Sequence, residues 1–309
     1  MYRSAKRAAA AAVVLASLYL AVVFVSLTNS HVRVAASRMF RGVGGGESPA
    51  TVLSDSNAAA AGSSLNNLAG APISEEHDVG CLNEDGAAVD WWAVYKMPGG
   101  FQYGYRDSSS SASTVLSVAA GRSLNCSDCA LGKTLQQLRT HRLSLAHMLW
   151  NTEFPDAYPF PSDCSYDCVF STGGHSKGVL ASSSSKGFWL IHSVPKFPDL
   201  TATAFAWETH VHNAQNFLCL SLRASDAEKI AKNLQHSHLH IYTWGVPPHL
   251  KSHFPNMQDT AGGKRADGTG TVSFSIGAAQ FKSFSKSPSW HNDLYSALVQ
   301  PDLAVADGM

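Results

Sequence analysis

Runs of alternating or continuous apolar residues predict a series of short β-strands. The run at Val89 to Lys96 alternates and is rich in aromatic residues, and the others have the length of buried strands. A serine-rich connection, Ser182 to Ser185, indicates a hairpin between two of them. The expected strands are Val89 to Lys96, Leu143 to Trp150, Lys177 to Leu180, Phe188 to Ser193 and Phe217 to Leu222.

Helical spacing occurs in two segments. Apolar residues recur at helical intervals from Ser225 to Gln235, with Ser225 as the expected N-cap. A shorter helix is expected from Leu131 to Leu138. Strands and helices together predict an α/β fold.

The N-terminus reads as a targeting segment. Arg3, Lys6 and Arg7 precede an uncharged apolar run from Ala8 to Leu27. That run is long enough to cross a bilayer and exceeds the usual apolar region of a cleaved signal peptide. Residues 1–30 are therefore expected to be a signal peptide, or an uncleaved signal anchor that binds the membrane. Cleavage near Ala35-Ala36-Ser37 is the alternative, and both place the protein in the secretory pathway.

Composition divides the rest of the chain. Residues 31–77 are rich in Gly, Ser, Ala and Asn and predict a flexible linker. Residues 78–309 are long enough for one domain with a sizeable core.

Charge argues against a strongly basic nucleic-acid binder at neutral pH. Lysine plus arginine equals aspartate plus glutamate at 23 each, but the chain carries 14 histidines. Many of these would charge in an acidic compartment and favour binding to a polyanion. The alternative is that histidine-rich loops are simply polar surface.

The candidate chemistry centres on Gly173 to Leu180, which contains His175 and Lys177 two positions apart. In an extended strand these side chains share one face, and Ser176 faces away. An imidazole can attack phosphorus or move a proton, while an ammonium neutralises phosphate oxygens, so this scheme requires no metal or cofactor. A second His-x-Lys, His249-Leu250-Lys251, follows two prolines and is expected to be a surface loop.

The block Gly-His-Ser-Lys-Gly-Val-Leu, followed by Gly187 to Pro198, resembles the deoxyribonuclease II family. Other pieces match in order, and the similarity runs from about residue 78 to about residue 300. They are Gly80 to Asn83, Val89 to Pro98, Tyr103 to Tyr105, Leu145 to Asn151, Phe217 to Ser221, Phe281 to Lys286 and Asp293 to Ser296.

The resemblance implies a phospholipase D-like fold, with a mixed sheet and flanking helices. It also implies acid-optimal, metal-independent cleavage of DNA that leaves 3′-phosphate ends. The family's site uses two His-x-Lys motifs: one histidine attacks phosphorus and the other protonates the leaving 5′-oxygen. His175 and Lys177 match the first motif.

The second motif of the family follows the point where this chain ends, and His249 and Lys251 do not replace it. The second half of the fold is therefore expected to be incomplete. A truncated gene model, a degenerate paralogue and one half of an assembly remain open, and a homodimer would bring two copies of His175 together.

His192 follows the core strand at Ile191, lies in a strongly matching block and is a candidate to line the cleft and orient the phosphate. The alternative is a hydrogen-bonded core histidine. Phe188 and Trp189 are expected in the core rather than as base-stacking platforms.

Six cysteines in a secretory protein predict disulfides. The resemblance implies a pair between Cys81 and Cys219. Disulfides within or between Cys126-x-x-Cys129 and Cys164-x-x-x-Cys168 are favoured over a four-cysteine zinc site. Asn125 begins a glycosylation sequon, where a glycan and a disulfide at Cys126 would compete.

Three functions remain open from the sequence. The first is an acid endonuclease acting on DNA in a lysosome, in another acidic compartment or after secretion. The second is an inactive paralogue that binds DNA or a partner. The third is a membrane-tethered scaffold with no nucleic-acid role.

Overall fold

The computed structural model describes residues 22–27, 77–111, 117–118, 121–155, 173–200 and 211–306, with backbone alone at 22–27, 117–118 and 304–306. The expectations for residues 1–21, for the linker up to residue 76, and for Cys164 and Cys168 lie outside these ranges.

The described elements are strands and short helices. The strands are β1 Val22–Leu27, β2 Trp91–Lys96, β3 Tyr103–Asp107, β4 Ser117–Val118, β5 Ala146–Trp150, β6 Gly178–Ser182, β7 Lys186–His192, β8 Gln215–Arg223, β9 Ile241–Gly245, β10 Thr269–Ile276 and β11 Ala279–Lys286. The α-helices are α1 Ala130–His141, α2 Ala224–Leu234, α3 Pro255–Ala261 and α4 Gln300–Ala306.

The strands form two sheets. The larger has eight strands in the order β4-β3-β2-β8-β7-β6-β5-β9, and the smaller has the order β1-β11-β10. The α/β class is confirmed. All pairings between the described strands are antiparallel rather than mixed. Short connections such as the predicted hairpin between β6 and β7 allow only antiparallel neighbours.

The large sheet is buried on both faces. Phe188, on one face, belongs to the same apolar cluster as Leu131 and Leu135 of α1. Trp189, on the other face, belongs to the cluster that includes Ile230 of α2 and Phe281 of the small sheet. Both aromatic residues are therefore core, as predicted, and neither is available to stack on a base.

The predicted N-cap at Ser225 is wrong. The helix α2 begins at Ala224, directly after β8, and the flanking Arg223 makes no side-chain capping bond. The buried carboxylate of Asp226 in the first turn instead pairs with Arg223 at 2.8 Å and Lys229 at 3.1 Å. A carboxylate at this end of a helix is favoured by the helix dipole.

The last six residues of the apolar N-terminal run form a strand rather than helix. Val22–Leu27 pairs antiparallel with β11, from Phe284 to Ala279. Three of the six residues are valine, whose branched side chain favours strands. Across the ranges that the structure describes, no helix is both long and apolar enough to cross a membrane.

Two disulfides are present in the described ranges. Cys81 and Cys219, the pair that the resemblance implied, have Cα atoms 5.9 Å apart. Their bond ties the segment before β2 to the middle of β8, and both residues are fully buried. The second joins Cys126 to Cys129, immediately before α1.

Replacing Cys81 and Cys219 together by alanine is expected to lower the free energy of unfolding by about 2 to 5 kcal/mol. Their bond spans 138 positions, so it restricts the unfolded chain far more than the Cys126–Cys129 bond, which spans three. Urea unfolding measures both losses. An equal loss in the matched Cys126→Ser/Cys129→Ser variant would contradict this expectation.

Candidate active site

Four polar residues lie opposite one another at the ends of adjacent strands. The His192 N–H donates to the Lys177 carbonyl at 3.3 Å, and the Asn151 N–H donates to the His240 carbonyl at 3.1 Å. We call this set, His240, Asn151, Lys177 and His192, the polar row.

The register of the sheet produces this arrangement. Trp150 of β5 pairs with Gly178 of β6, and Gly178 pairs with Ile191 of β7. The next residue on each strand, Asn151, Lys177 and His192 respectively, therefore falls at the same level. Alternation along each strand places their side chains on the face that carries Leu149, Val179 and Leu190.

His175 contacts Lys177, which lies inside this row between Asn151 and His192. The Lys177 ammonium donates to Nε2 of His175 across 3.1 Å. Lys177 is 6% exposed, whereas His175 is exposed to solvent. Ser176 points to the opposite face, as predicted, and its hydroxyl accepts a 3.0 Å bond from Nε1 of Trp150. Both residues of the pair precede β6, which begins at Gly178 rather than at Lys177.

The surroundings lower the pKa of both groups. Burial lowers the pKa of Lys177 to about 8, and the Glu153 carboxylate opposes this shift. Burial and then the Lys177 charge lower the pKa of His175, again with Glu153 in opposition. His175 therefore stays neutral further into the acid range than an exposed histidine would.

Gly178 lets β6 approach its neighbours. A Cβ atom there would come within 2.6 Å of the Trp150 ring and 2.9 Å of the Leu190 carbonyl oxygen. Because no side chain fits this space, glycine is required immediately after Lys177.

His192 is buried beside Lys177. Its ring meets Phe197 edge-on, with centroids 5.4 Å apart, and stacks on Phe217 at 6.1 Å. Neither ring nitrogen has a hydrogen-bond partner among the residues that the structure describes. Burial and then the Lys177 charge lower its pKa to about 3. The Val194 backbone opposes this shift, and both the phosphate-orienting role and the core role of His192 stay predictions.

The other sequence candidates lie elsewhere. His249 is exposed on a short 3₁₀ helix, Pro248–Leu250, and Lys251 is exposed directly after it, so this copy of the motif lies on the surface as predicted. Asn125 is half-buried next to the Cys126–Cys129 disulfide, and its glycosylation remains a prediction.

Sequence reasoning assigned no role to Asn151, Glu153 or His240. The Asn151 amide donates to the carbonyls of Val194 and Phe197, at 2.9 Å each, and so joins β5 to the chain that follows β7. An asparagine directly after a buried strand was a usable signal for Asn151. His240 is more than sixty positions from His175 along the chain, and only the sheet brings the two segments together.

Comparison with known proteins agrees with the geometry. The family model described as Deoxyribonuclease II matches residues 80–306. Deoxyribonuclease-2-beta of Rattus norvegicus is 30% identical over 259 residues, which cover 78% of this chain and 67% of the relative. Deoxyribonuclease-2-alpha of Sus scrofa is 30% identical, over 70% of this chain and 61% of the relative. Plancitoxin-1 of Acanthaster planci is 29% identical, over 70% and 62%.

The chain thus spans about two thirds of the length of the curated relatives it matches. The family model covers most of the chain, including both members of the His175–Lys177 pair, Asn151, His192 and both cysteines of the buried disulfide. On this evidence the chain belongs to the deoxyribonuclease II family.

Proposed function

We propose that this chain is a deoxyribonuclease II-like endonuclease with His175 as its nucleophile, which cleaves DNA phosphodiesters and leaves 3′-phosphate ends. The observation that carries the proposal is the 3.1 Å contact between the Lys177 ammonium and His175 Nε2, with the imidazole exposed and the ammonium buried. The names of the relatives support DNA as the substrate. We further propose an acidic compartment or secretion as its location.

In the proposed reaction the bound phosphate displaces the contact between the two side chains. The Lys177 ammonium moves its hydrogen bond from Nε2 to a non-bridging oxygen, which frees the imidazole lone pair. Nε2 then attacks phosphorus, the P–N bond forms, and the bond from phosphorus to the 5′-oxygen breaks. That oxygen takes a proton from a second imidazolium, which His175 of a second copy would supply if two copies associate. Water then hydrolyses the phosphohistidine.

His192 is proposed to orient the phosphate. It is level with Lys177 in the polar row, and a neutral imidazole offers one N–H to a phosphate oxygen. Its low pKa keeps the ring neutral at acid pH. A phosphate oxygen would satisfy a buried nitrogen that the described residues leave without a partner.

Action at acid pH is consistent with these shifts. A histidine acts as a nucleophile only when neutral, and the lowered pKa of His175 extends that state below its ordinary value of 6.5. Lys177 stays protonated there, because its pKa of about 8 is well above the working range.

An inactive DNA-binding paralogue is the second candidate. It is favoured by the position of the other His-x-Lys copy, whose His249 and Lys251 are exposed on and directly after the 3₁₀ helix rather than paired at the polar row.

Nicking of supercoiled plasmid at about pH 5, in excess chelator, tests the proposal. The expected products are nicked circles with 3′-phosphate ends and acid-labile phosphate on His175, found by mass spectrometry. Cleavage that depends on added magnesium would refute the mechanism. Retarded plasmid without cleavage would favour the inactive paralogue. Light scattering of the same sample determines whether two copies associate.

A further inference from the structure

The Gly173-Gly174 turn, directly before His175, lies flat against the chain that leads into β9. A Cβ atom on Gly173 would be 1.7 Å from Nε2 of His240 and 2.2 Å from Cε1. A Cβ atom on Gly174 would be 2.0 Å from the Ser237 carbonyl oxygen. The Gly174 N–H also donates to the His238 carbonyl at 3.0 Å. The turn therefore rests on an imidazole ring and on backbone, with no room for a side chain.

The His240 backbone is held from its own side, and the residue is nearly buried. Its carbonyl accepts the Asn151 N–H, and the residue is only 9% exposed. Its backbone follows His238, which has a left-handed φ of 44°. Burial and then the Arg265 charge lower the pKa of His240 to about 4, so the ring that meets Gly173 is neutral at moderately acid pH.

His175 and Lys177 are positioned by different parts of the molecule. Lys177 is held by the sheet, through the bond from its carbonyl to the His192 N–H. His175 lies in a tight turn, closed by the 2.9 Å bond from the Ser176 N–H to the Gly174 carbonyl. A displacement of the turn would therefore move His175 while Lys177 stays in place.

We propose that His240 is a positioning residue for His175: its flat ring supports Gly173 and so sets the distance between His175 Nε2 and the Lys177 ammonium. The consequence for catalysis rests on the proposed function, whereas the contact itself does not.

A double-mutant cycle tests the contact without DNA. In Gly173→Ala the added methyl meets the His240 ring and displaces the turn. In His240→Ala the turn loses its support. In the double variant the methyl occupies the space that the ring leaves. The displacement of the turn is therefore expected to be smaller than in Gly173→Ala alone.

The readout is the titration of His175 followed by NMR of its ring nitrogens. Lys177 lowers the pKa of His175, so separating the two groups is expected to raise that pKa in both single variants. The double variant is expected to return toward the wild-type value. In a His240→Phe variant, which keeps a flat ring, His175 is expected to have its wild-type pKa.

Gly187→Ala is the matched control. A Cβ atom there would be 2.4 Å from the Ala181 carbonyl oxygen, which is also too close for a real contact, at the far end of the β6–β7 hairpin. This variant is expected to unfold at lower temperature, with the His175 titration unchanged. If Gly187→Ala shifts His175 as much as Gly173→Ala does, the effect is general destabilisation and the proposal fails.

Two further results would overturn it: an unchanged His175 pKa in Gly173→Ala and His240→Ala, or additive effects in the double variant. If the wild type cleaves DNA, kcat/KM is expected to fall by about 10²-fold in Gly173→Ala and to recover in the double variant, because a small misplacement of a reacting group has an effect of this size. If the wild type does not cleave DNA, the proposed function fails while the titration still decides the role of His240.

Discussion

Replacing His175 by alanine is expected to abolish plasmid nicking in the presence of chelator, with a loss of at least about 10³-fold. Both the attacking nitrogen and the phosphohistidine disappear in this variant, and effects of 10²- to 10⁴-fold follow from the loss of proton transfer alone. The His175 ring is exposed, so its removal leaves the buried residues of the polar row in place. Initial nicking rates at about pH 5 measure the effect.

The chain offers its own control for this variant. His249 stands in the second His-x-Lys copy, on an exposed 3₁₀ helix, and His249→Ala removes the same side chain from the same local motif. Its nicking rate is expected to equal that of the wild type. Comparable losses in both variants would show that the chemistry does not reside at His175.

Acidification from about pH 7.5 to pH 5 is expected to lower the free energy of unfolding by about 6 kcal/mol. Among the residues that the structure describes, three histidines are buried in the neutral state: His147, His192 and His240. Burial is the largest cause of each shift, and it lowers their pKa values to about 4, about 3 and about 4.

The sign follows from proton uptake. In the unfolded chain each ring titrates near 6.5, whereas in the folded state it stays neutral until much lower pH. Below 6.5 the unfolded state therefore binds more protons, and folding stability falls as pH falls towards the folded pKa. The loss is about 1.4 kcal/mol per pH unit for each group, or about 2 kcal/mol each at pH 5.

His147→Gln isolates one third of this effect. His147 lies in β5, its Nδ1 is 3.0 Å from the Leu145 carbonyl oxygen, and its side chain takes no part in the polar row. Glutamine does not titrate, so urea unfolding at the two pH values is expected to differ by about 2 kcal/mol less than in the wild type. The exposed His249→Ala variant is the control and is expected to keep the full difference. An unchanged difference in His147→Gln would show that His147 is not neutral in the folded state.

These two expectations together bound the useful pH range of the protein. The lowered pKa of His175 keeps the proposed nucleophile neutral further into the acid range, while the buried histidines of the same sheet make the fold less stable there. The nicking rate is therefore expected to fall on the acid side together with the folded fraction, which circular dichroism measures in the same buffers.

The sequence by itself determined the features that depend on neighbouring residues. Alternating or continuous apolar runs predicted the strands that became β2, β5, β7 and β8, and a two-residue spacing placed His175 beside Lys177 and turned Ser176 away. Matching blocks identified the family and implied the Cys81–Cys219 pair. These features are local, or are shared as a block by related chains.

Only the tertiary structure decided which distant residues surround that pair. Strand register set His192 beside Lys177 and placed Asn151 next to His240, and packing pressed the His240 ring against Gly173. Pairing with β11 made Val22–Leu27 a strand, where the apolar run alone had indicated a signal peptide or a signal anchor. The physical reason is that contacts between segments far apart in the chain depend on how strands align and which faces are buried, and neither is encoded in the spacing of residues along one segment.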